Sequence, residues 1–407
     1  MKHFIDPKLL ERLSVGPLAP YMRAYLARIE SDGFAPSSVP CQAYAIARFS
    51  RWLNQQTIQP KDLDEAIVRR FLQRDHGVIH RPEPETIRRL LLILRDNGIA
   101  AAKRPVPLNA IQRCVEEYKN YLVKQRGISD SSLPNYLVYA ELFLGDRFGD
   151  RQPTFEKLRP QDATEFVRVH TAMLSRSRAK LLITAMRSFF RYLLNQGRIS
   201  IDLSRCVLPV AVWSISTVPK FLPRETVERL LTHQDQKTAL GRRNYAILLL
   251  LARLGLRAGE VVKLNLEDID WEQGVIRICR KAGRWTMLPL PVDVGTVIAD
   301  YLRSSRPQCS SRRVFVRHNA PVRGFAHTIT VSSIVRRALL RAGIDSPRTG
   351  AHLLRHAFAV DLLRTGASLA EIGDVLGHRS PNTTAIYAKV DLGALRTIAI
   401  PWPGGVQ

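Results

Sequence analysis

The sequence predicts a mainly α-helical chain of several domains, with one small antiparallel sheet among the helices of its second half. Three features carry that expectation. From Pro20 to about Gly98, and again from Pro107 to about Gly197, apolar residues recur at helical spacing between turn-forming segments. The stretch Ser204 to Phe221 is rich in proline and β-branched residues and shows neither helical period nor cap, so it reads as an extended linker. Beyond it, Val275–Cys279 and Thr286–Leu290 are short β-like runs flanking Arg280–Arg284, a segment suited to a hairpin turn.

The two N-terminal helical stretches follow one plan. Phe34-Ala-Pro-Ser-Ser-Val-Pro40 corresponds to Ile128-Ser-Asp-Ser-Ser-Leu-Pro134, and each precedes an amphipathic helix with an aromatic at the same place, Phe49 and Phe143. Pro60-Lys-Asp answers Pro160-Gln-Asp, and Arg88 to Gly98 answers Arg187 to Gly197. This is the pattern of a diverged duplication of a helical unit of about 90 residues. Past the linker, helices are expected at Pro223–Leu231, Arg242–Leu254, Val292–Arg303, Thr330–Ala342, Ala351–Thr365, Leu369–Leu376 and Asn382–Lys389. The helix ending at Leu254 is apolar nearly all round and therefore buried. The expected division is 1–104, 105–203, a linker 204–220, 221–392 and a tail 393–407.

Composition narrows the function. The 407 residues carry 61 Lys and Arg against 36 Asp and Glu, a formal charge of +25, which favours a polyanionic partner and steers encounter with it. The cysteines Cys41, Cys114, Cys206, Cys279 and Cys309 are scattered, odd in number and never in C-x-x-C spacing, so they read as reduced thiols rather than a disulfide framework or thiolate zinc site. The longest apolar run, Tyr245 to Ala252, is far short of a membrane span. A cytoplasmic protein acting on nucleic acid, with no membrane partner, is expected.

The chemistry gathers near the C-terminus. His352 and Arg355, three residues apart, share one face of a helix start for which Thr349 is the expected cap, and the helix dipole adds positive potential there. Ser368 and Glu371 stand at capping-box spacing and Gly377 is a natural helix stop, so His378 emerges just past that helix. Tyr387 lies in the helix that follows. Upstream, Arg257 sits in LGLRAGE, where two glycines bracket a break between helices, and Glu260 is placed to fix a guanidinium or imidazole by a charge-assisted hydrogen bond. Lys281 occupies the hairpin turn, within reach of a leaving oxygen, and Arg280 and Arg284 beside it would serve equally well as phosphate contacts. His352 and His356 have the i,i+4 spacing of zinc-binding helices. The general base expected after the first of them is Leu353, however, and Arg355 puts a positive charge between them, so His356 reads as a packed or hydrogen-bonded histidine.

Together, Arg257, Lys281, HLLRH at His352–His356, LGH at His378, and Tyr387 resemble the tyrosine recombinase (phage integrase) family over roughly Val218 to Val390. Pro107 to Gly197 looks like that family's helical core-binding domain. The resemblance implies a mixed, mostly helical catalytic domain with a small antiparallel sheet, in which Tyr387 attacks a DNA phosphodiester and forms a 3′-phosphotyrosine. Arg257 and Arg355 would stabilise the transition-state charge, His378 would add a hydrogen bond, His352 would take the phenolic proton and Lys281 would protonate the departing 5′ oxygen. Neither metal, ATP nor another cofactor is implied. The implied partner is double-stranded DNA with specific recombination sites, bound by a dimer per site and a tetramer in the synapse. Residues 1–104 exceed the minimal family plan and read as a second core-binding-like or an arm-type DNA-binding domain, and the tail as a segment docking on a neighbouring protomer. The hairpin departs from many relatives, with Arg280 and Ala282 where they have glycines. Site-specific integration or transposition is the expected activity. A type IB topoisomerase-like enzyme would use the same chemistry, and a catalytically dormant DNA-binding accessory subunit would keep only the binding.

Overall fold

The computed structural model describes residues 6–73, 83–102, 108–130, 132–149, 151–209, 220–280, 283–390 and 395. By its internal contacts the chain divides into two units, Met1–Ala102 with Thr217–Gln407, and the intervening Lys103–Ser216.

In the first unit, the N-terminal portion is built from α1 (Pro7–Leu13), α2 (Ala19–Ser31), α3 (Val39–Gln55), α4 (Glu65–Leu72) and α5 (Glu83–Asp96). Their apolar faces close on a core that includes Tyr25, Phe49, Phe71 and Leu90. Two of the buried polar groups there pair off: the Tyr25 hydroxyl donates to Gln42 at 2.7 Å, and Ser50 accepts from the Leu18 amide at 3.0 Å. This portion meets the C-terminal portion where the Val322 amide donates to the Asp32 carbonyl at 2.7 Å.

The second unit contains α6 (Ala110–Lys124), α7 (Leu133–Phe148), α8 (Pro160–Ala172) and α9 (Arg176–Asn195). Asn109 and Gln112 cap α6 reciprocally, and Phe143 meets Phe166 and Phe190 edge-to-face at 5.2 Å in each case. From α7 onward the order of elements matches that of the N-terminal portion from α3 onward. Single 3-10 turns at Pro60–Asp62 and Phe155–Lys157 precede α4 and α8, so Pro60-Lys-Asp answers Phe155–Lys157 and not Pro160-Gln-Asp, which opens α8 itself; α5 and α9 both end at a positive-φ glycine, Gly98 and Gly197. Phe49 and Phe143 are each 1% exposed, at the equivalent place in each core.

The C-terminal portion contains α10 (Arg224–Thr232), α11 (Ala239–Leu254), α12 (Ala258–Lys263), α13 (Val292–Ser304), α14 (Ile329–Arg341), α15 (His352–Arg364), α16 (Leu369–Leu376) and α17 (Pro381–Thr384), with a sheet of β1 (Ile269–Asp270), β2 (Val275–Cys279) and β3 (Trp285–Pro289). The sheet is antiparallel in the order β1-β2-β3, with Cys279 opposite Trp285 at the hairpin end. Strand β1, too short to show a period in sequence, joins through the pairing Ile269–Ile276. Helix α11 is the central post, with every residue from Ala246 to Ala252 buried. The linker's first residues form a 3-10 turn, Leu203–Arg205, while 210–219 and, apart from Leu395, the tail 393–407 lie outside the described residues.

Two further local expectations are corrected. Thr349 does not cap α15, which begins at His352 with Ala351 at the cap position and no side-chain cap bond. The single helix expected over Asn382–Lys389 is instead the short α17 followed by a 3-10 stretch, Ala385–Val390. The tighter winding brings residues three apart onto one side, so that Thr384 and Tyr387 are buried together.

Gly255 ends α11 at φ +58°, and a Cβ there would lie 2.5 Å from Phe358 and 2.9 Å from Leu376. Gly255→Ala should therefore cost at least the ~1–2 kcal/mol of a left-handed non-glycine residue, with the clash added. A denaturant-unfolding midpoint indistinguishable from wild type would contradict this account.

Candidate active site

The site is built where the ends of α11 and α16 meet the starts of α12 and α15. Each of these helix ends exposes backbone groups with no partner within its own helix, and the C-terminal carbonyls carry partial negative charge. Three guanidinium groups use them. Arg355, 3% exposed, donates to the Gly255 carbonyl at 2.6 Å and the Leu376 carbonyl at 2.7 Å. Arg257 donates to the Gly377 carbonyl at 3.2 Å. Arg280 donates to Val375 at 2.8 Å and Leu376 at 3.4 Å.

One buried carboxylate ties the group together. Glu260, in the first turn of α12, accepts from the Arg257 backbone amide and guanidinium, both at 2.8 Å, and from Arg280 at 3.1 Å. Burial and neighbouring cations leave their mark on acidity. Burial first, then Arg257, lowers the pKa of Arg355 to about 10, and burial likewise lowers that of Arg280.

The histidines surround this cluster. His378, carried past the αL residue Gly377, shares a 2.8 Å hydrogen bond with the hydroxyl of buried Thr384. Burial, Arg355 and Arg257 bring it down to about 4. His352 stands at the exposed rim, its pKa lowered by the partial covering of its ring and by Arg355, Arg257 and Arg348. His356 is one turn further on, with its ring 6.3 Å from that of His352. It too falls to about 4, through burial and the neighbouring His352, Arg355 and Arg348.

Tyr387 is 1% exposed, and its hydroxyl lies 2.8 Å from Nδ1 of His356. Burial raises the phenol to about 12, against the pull of Arg355 and Arg257. The structure thus gathers Arg257, Arg355, His352, His378, Tyr387 and Glu260 around one cluster. Lys281 lies outside the described residues.

Two participants escaped the sequence reading. Arg280, expected as a possible surface phosphate contact, is 4% exposed and committed to Glu260 and the end of α16. The signal was present, because Ile276, Ile278 and Arg280 alternate with period two and so share the inner face of their strand. His356, expected to be packed or hydrogen-bonded, is hydrogen-bonded, and its partner, which the sequence does not name, is the tyrosine hydroxyl. Its helical i,i+4 relation to His352 marked it as a neighbour of the site, but which of the two faces Tyr387 depends on how the last segment docks.

Comparison with known proteins bears on the same residues. Residues 220–392 match the model of the phage integrase family, and 115–197 that of the phage integrase N-terminal SAM-like domain. The chain is 44% identical over 413 aligned residues, covering all of both proteins, to "Putative integrase/recombinase y4rA" of Sinorhizobium fredii. The chain belongs to the phage integrase family, the tyrosine recombinases. This integrase-family chain is also 31% identical to the tyrosine recombinase XerD of Listeria innocua, across 68% of its own length and 93% of the relative's. In fold it resembles a lambda integrase fragment crystallised as a dimer bound to a COC′ core site, with TM-score 0.54 and 15% identity over 68% of this chain and 94% of that one. It is a site-specific recombinase by family, and among its described residues no helix is long and apolar enough to cross a membrane.

The depressed histidines set a pH dependence. His356, His378 and also His318, which lies between α13 and α14 and is lowered by burial and Arg243, fall to about 4 in the folded chain, below the ordinary value near 6.5, so the unfolded chain binds more protons between those limits. Their contribution to stability is present above about pH 6.5 and declines as pH falls towards about 4. Unfolding midpoints across that window should drop on acidification, and less steeply in His318→Gln. An equal slope in that variant would count against the assignment.

Proposed function

We propose that the chain cuts and rejoins DNA strands at specific sites through a covalent bond between Tyr387 and a 3′ phosphate. The observation that carries this reading is the convergence of Arg257, Arg355, His352 and His378 around the Tyr387 segment, although these residues are far apart in sequence. Attack by the phenolic oxygen on phosphorus would expel the 5′ oxygen and keep the phosphodiester's free energy in the phosphotyrosine, so rejoining calls for neither ATP nor a metal. Arg257 and Arg355 would hold the non-bridging oxygens as negative charge builds in the transition state, with His378 adding a third donor and His352 facing the phosphate from the rim. Lys281 would supply the proton to the leaving oxygen. The phenolic proton has a choice of two acceptors on α15, His352 and His356.

Both Arg355 and Tyr387 are almost fully covered, at 3% and 1% exposure. Engagement of a phosphate therefore requires side chains over the cluster to shift as DNA arrives. The helical portions before residue 204 would grip the duplex beside the catalytic portion, using the excess of Lys and Arg for sequence-independent phosphate contacts. Residues 1–104 would extend that grip as an additional DNA-binding domain, and the tail 393–407 would dock on a neighbouring protomer. The dimeric assembly named for the lambda integrase fragment supports a dimer on each site, and joining two such sites would bring four protomers together. Such a protein works in the cytoplasm, where the DNA is, and moves or integrates a DNA segment.

Nicked duplexes tiled across the DNA flanking the gene supply suicide substrates, in which the cleaved end diffuses away and traps the covalent complex. Wild type should give a trapped species with at least one tile, and Tyr387→Phe none while retaining affinity. Arg355→Lys should slow trapping by about 10²-fold or more, in the range found for removing a transition-state donor. Incubating two differently labelled duplexes should give recombinant products. Relaxation of supercoils without any recombinant product would point instead to the topoisomerase-like alternative.

A further inference from the structure

We propose that His356, rather than His352, accepts the phenolic proton when Tyr387 attacks phosphorus. This rests on the reading of Tyr387 as nucleophile and completes it by naming the base.

The geometry points there directly. The hydrogen bond that the structure gives the Tyr387 hydroxyl is to Nδ1 of His356, at 2.8 Å, with the two rings inclined at 60°. That distance is already within the range a proton-transfer partner needs. His352 lies on the far side of His356 from this bond in sequence, one helical turn earlier, and is exposed at the rim, where an imidazole meets incoming phosphate. In the reacting form the phenol donates to a neutral His356 whose proton is on Nε2. As the phenolic oxygen bonds to phosphorus and the bond from phosphorus to the 5′ oxygen breaks, the phenolic proton moves to Nδ1. The 5′ oxygen takes its proton from the separate donor assigned above to Lys281. On rejoining, the 5′ hydroxyl gives its proton back to Lys281 as it displaces the tyrosine, and His356 returns its proton to the phenolic oxygen.

The charges around His356 explain why transfer waits for substrate. His352 and Arg355 face it from its own helix, Arg348 from the preceding loop, His378 from the turn after α16, and Tyr387 from the final segment. Without an anion this positive surrounding disfavours an imidazolium. A phosphodiester held by Arg257 and Arg355 brings the missing negative charge, so DNA binding itself raises the proton affinity of the base.

The test uses the full chain and the nicked duplex that traps wild type most efficiently. In His356→Asn the amide oxygen can occupy the position of Nδ1 and accept the same hydrogen bond, but it takes up no proton. Single-turnover trapping should fall by about 10²-fold, at the lower end of the general-base range, and the residual rate should rise with hydroxide activity across neutral to alkaline pH. Replacing the bridging 5′ oxygen by sulfur, which departs without a proton, should restore Lys281→Ala and leave His356→Asn slow. A rate within about threefold of wild type, a loss with the wild-type pH profile, or recovery with the sulfur substrate would each overturn the assignment. Faster trapping would overturn it too, since the contact would then restrain the tyrosine. Should His356→Asn fail to fold, His352→Asn decides alone: a pH profile of wild-type shape supports His356 as base, and a hydroxide-dependent one refutes it. Absence of trapping by wild type would instead remove the functional reading on which the assignment stands.

Discussion

The carboxylate of Glu260 is the point on which the rest of the site depends. It is 6% exposed and faces two guanidinium groups, one in the loop before α12 and one at the end of β2. Arginines so close together repel, and burial removes the water that would screen them. Glu260 meets that repulsion from one side, and the carbonyls of Gly255, Val375, Leu376 and Gly377 meet it from the other. A helix C-terminus suits the second task, since its last carbonyls have no partners within the helix. The sharp ends of α11 and α16, both turned by left-handed glycines, are thus part of the electrostatics as well as of the chain path.

That arrangement divides labour among the three arginines. Arg280 is spent on structure, with its guanidinium shared between Glu260 and the end of α16 and packed so close to Gly377 that a Cβ there would lie 2.9 Å from its Nε. It pins the entrance of the β2–β3 turn to the helix that presents His378, which couples the hairpin to the histidine. Arg257 keeps about a third of its side chain exposed, 29%, while still bonded to Glu260. Arg355 makes its two bonds to backbone carbonyls from a fork with five N–H groups, so donors remain for an oxyanion.

Much of this was legible in the residues. The helices stand out wherever a strong apolar period meets a recognisable stop, as at Thr238–Gly255 and Ser368–Gly377, because caps and left-handed glycines act locally. The hairpin was legible from its change of period. What the sequence withheld was tertiary. A tyrosine five residues into a predicted helix gives no sign that the segment will tighten to 3-10 winding, which leaves Thr384 and Tyr387 buried together. Likewise His352 and His356 look alike in HLLRH. Only the docking of the last segment distinguishes a rim imidazole from one bonded to the phenol. Arg280 was misjudged for a related reason, since an arginine beside a turn is usually solvated and its burial depends on Glu260, twenty residues away in sequence.

The histidines then follow from the arginines rather than standing beside them as independent parts. A site with three guanidinium groups and one carboxylate is electropositive before DNA arrives, and protonating any imidazole within it would add to the excess. Burial first, and the neighbouring cations with it, hold His356 and His378 neutral, at about 4, and burial keeps the proton on Tyr387, at about 12, against the pull of Arg355 and Arg257. A phenol and an imidazole so far apart in acidity do not exchange a proton at rest, even across 2.8 Å. Chemistry at this pair must be driven by something that alters both at once. A phosphodiester does so: its negative charge favours an imidazolium nearby, and bond formation to phosphorus makes the phenolic oxygen far more acidic. The same cation cluster that would stabilise the transition state therefore also disfavours the imidazolium in its absence, while burial keeps the phenol protonated.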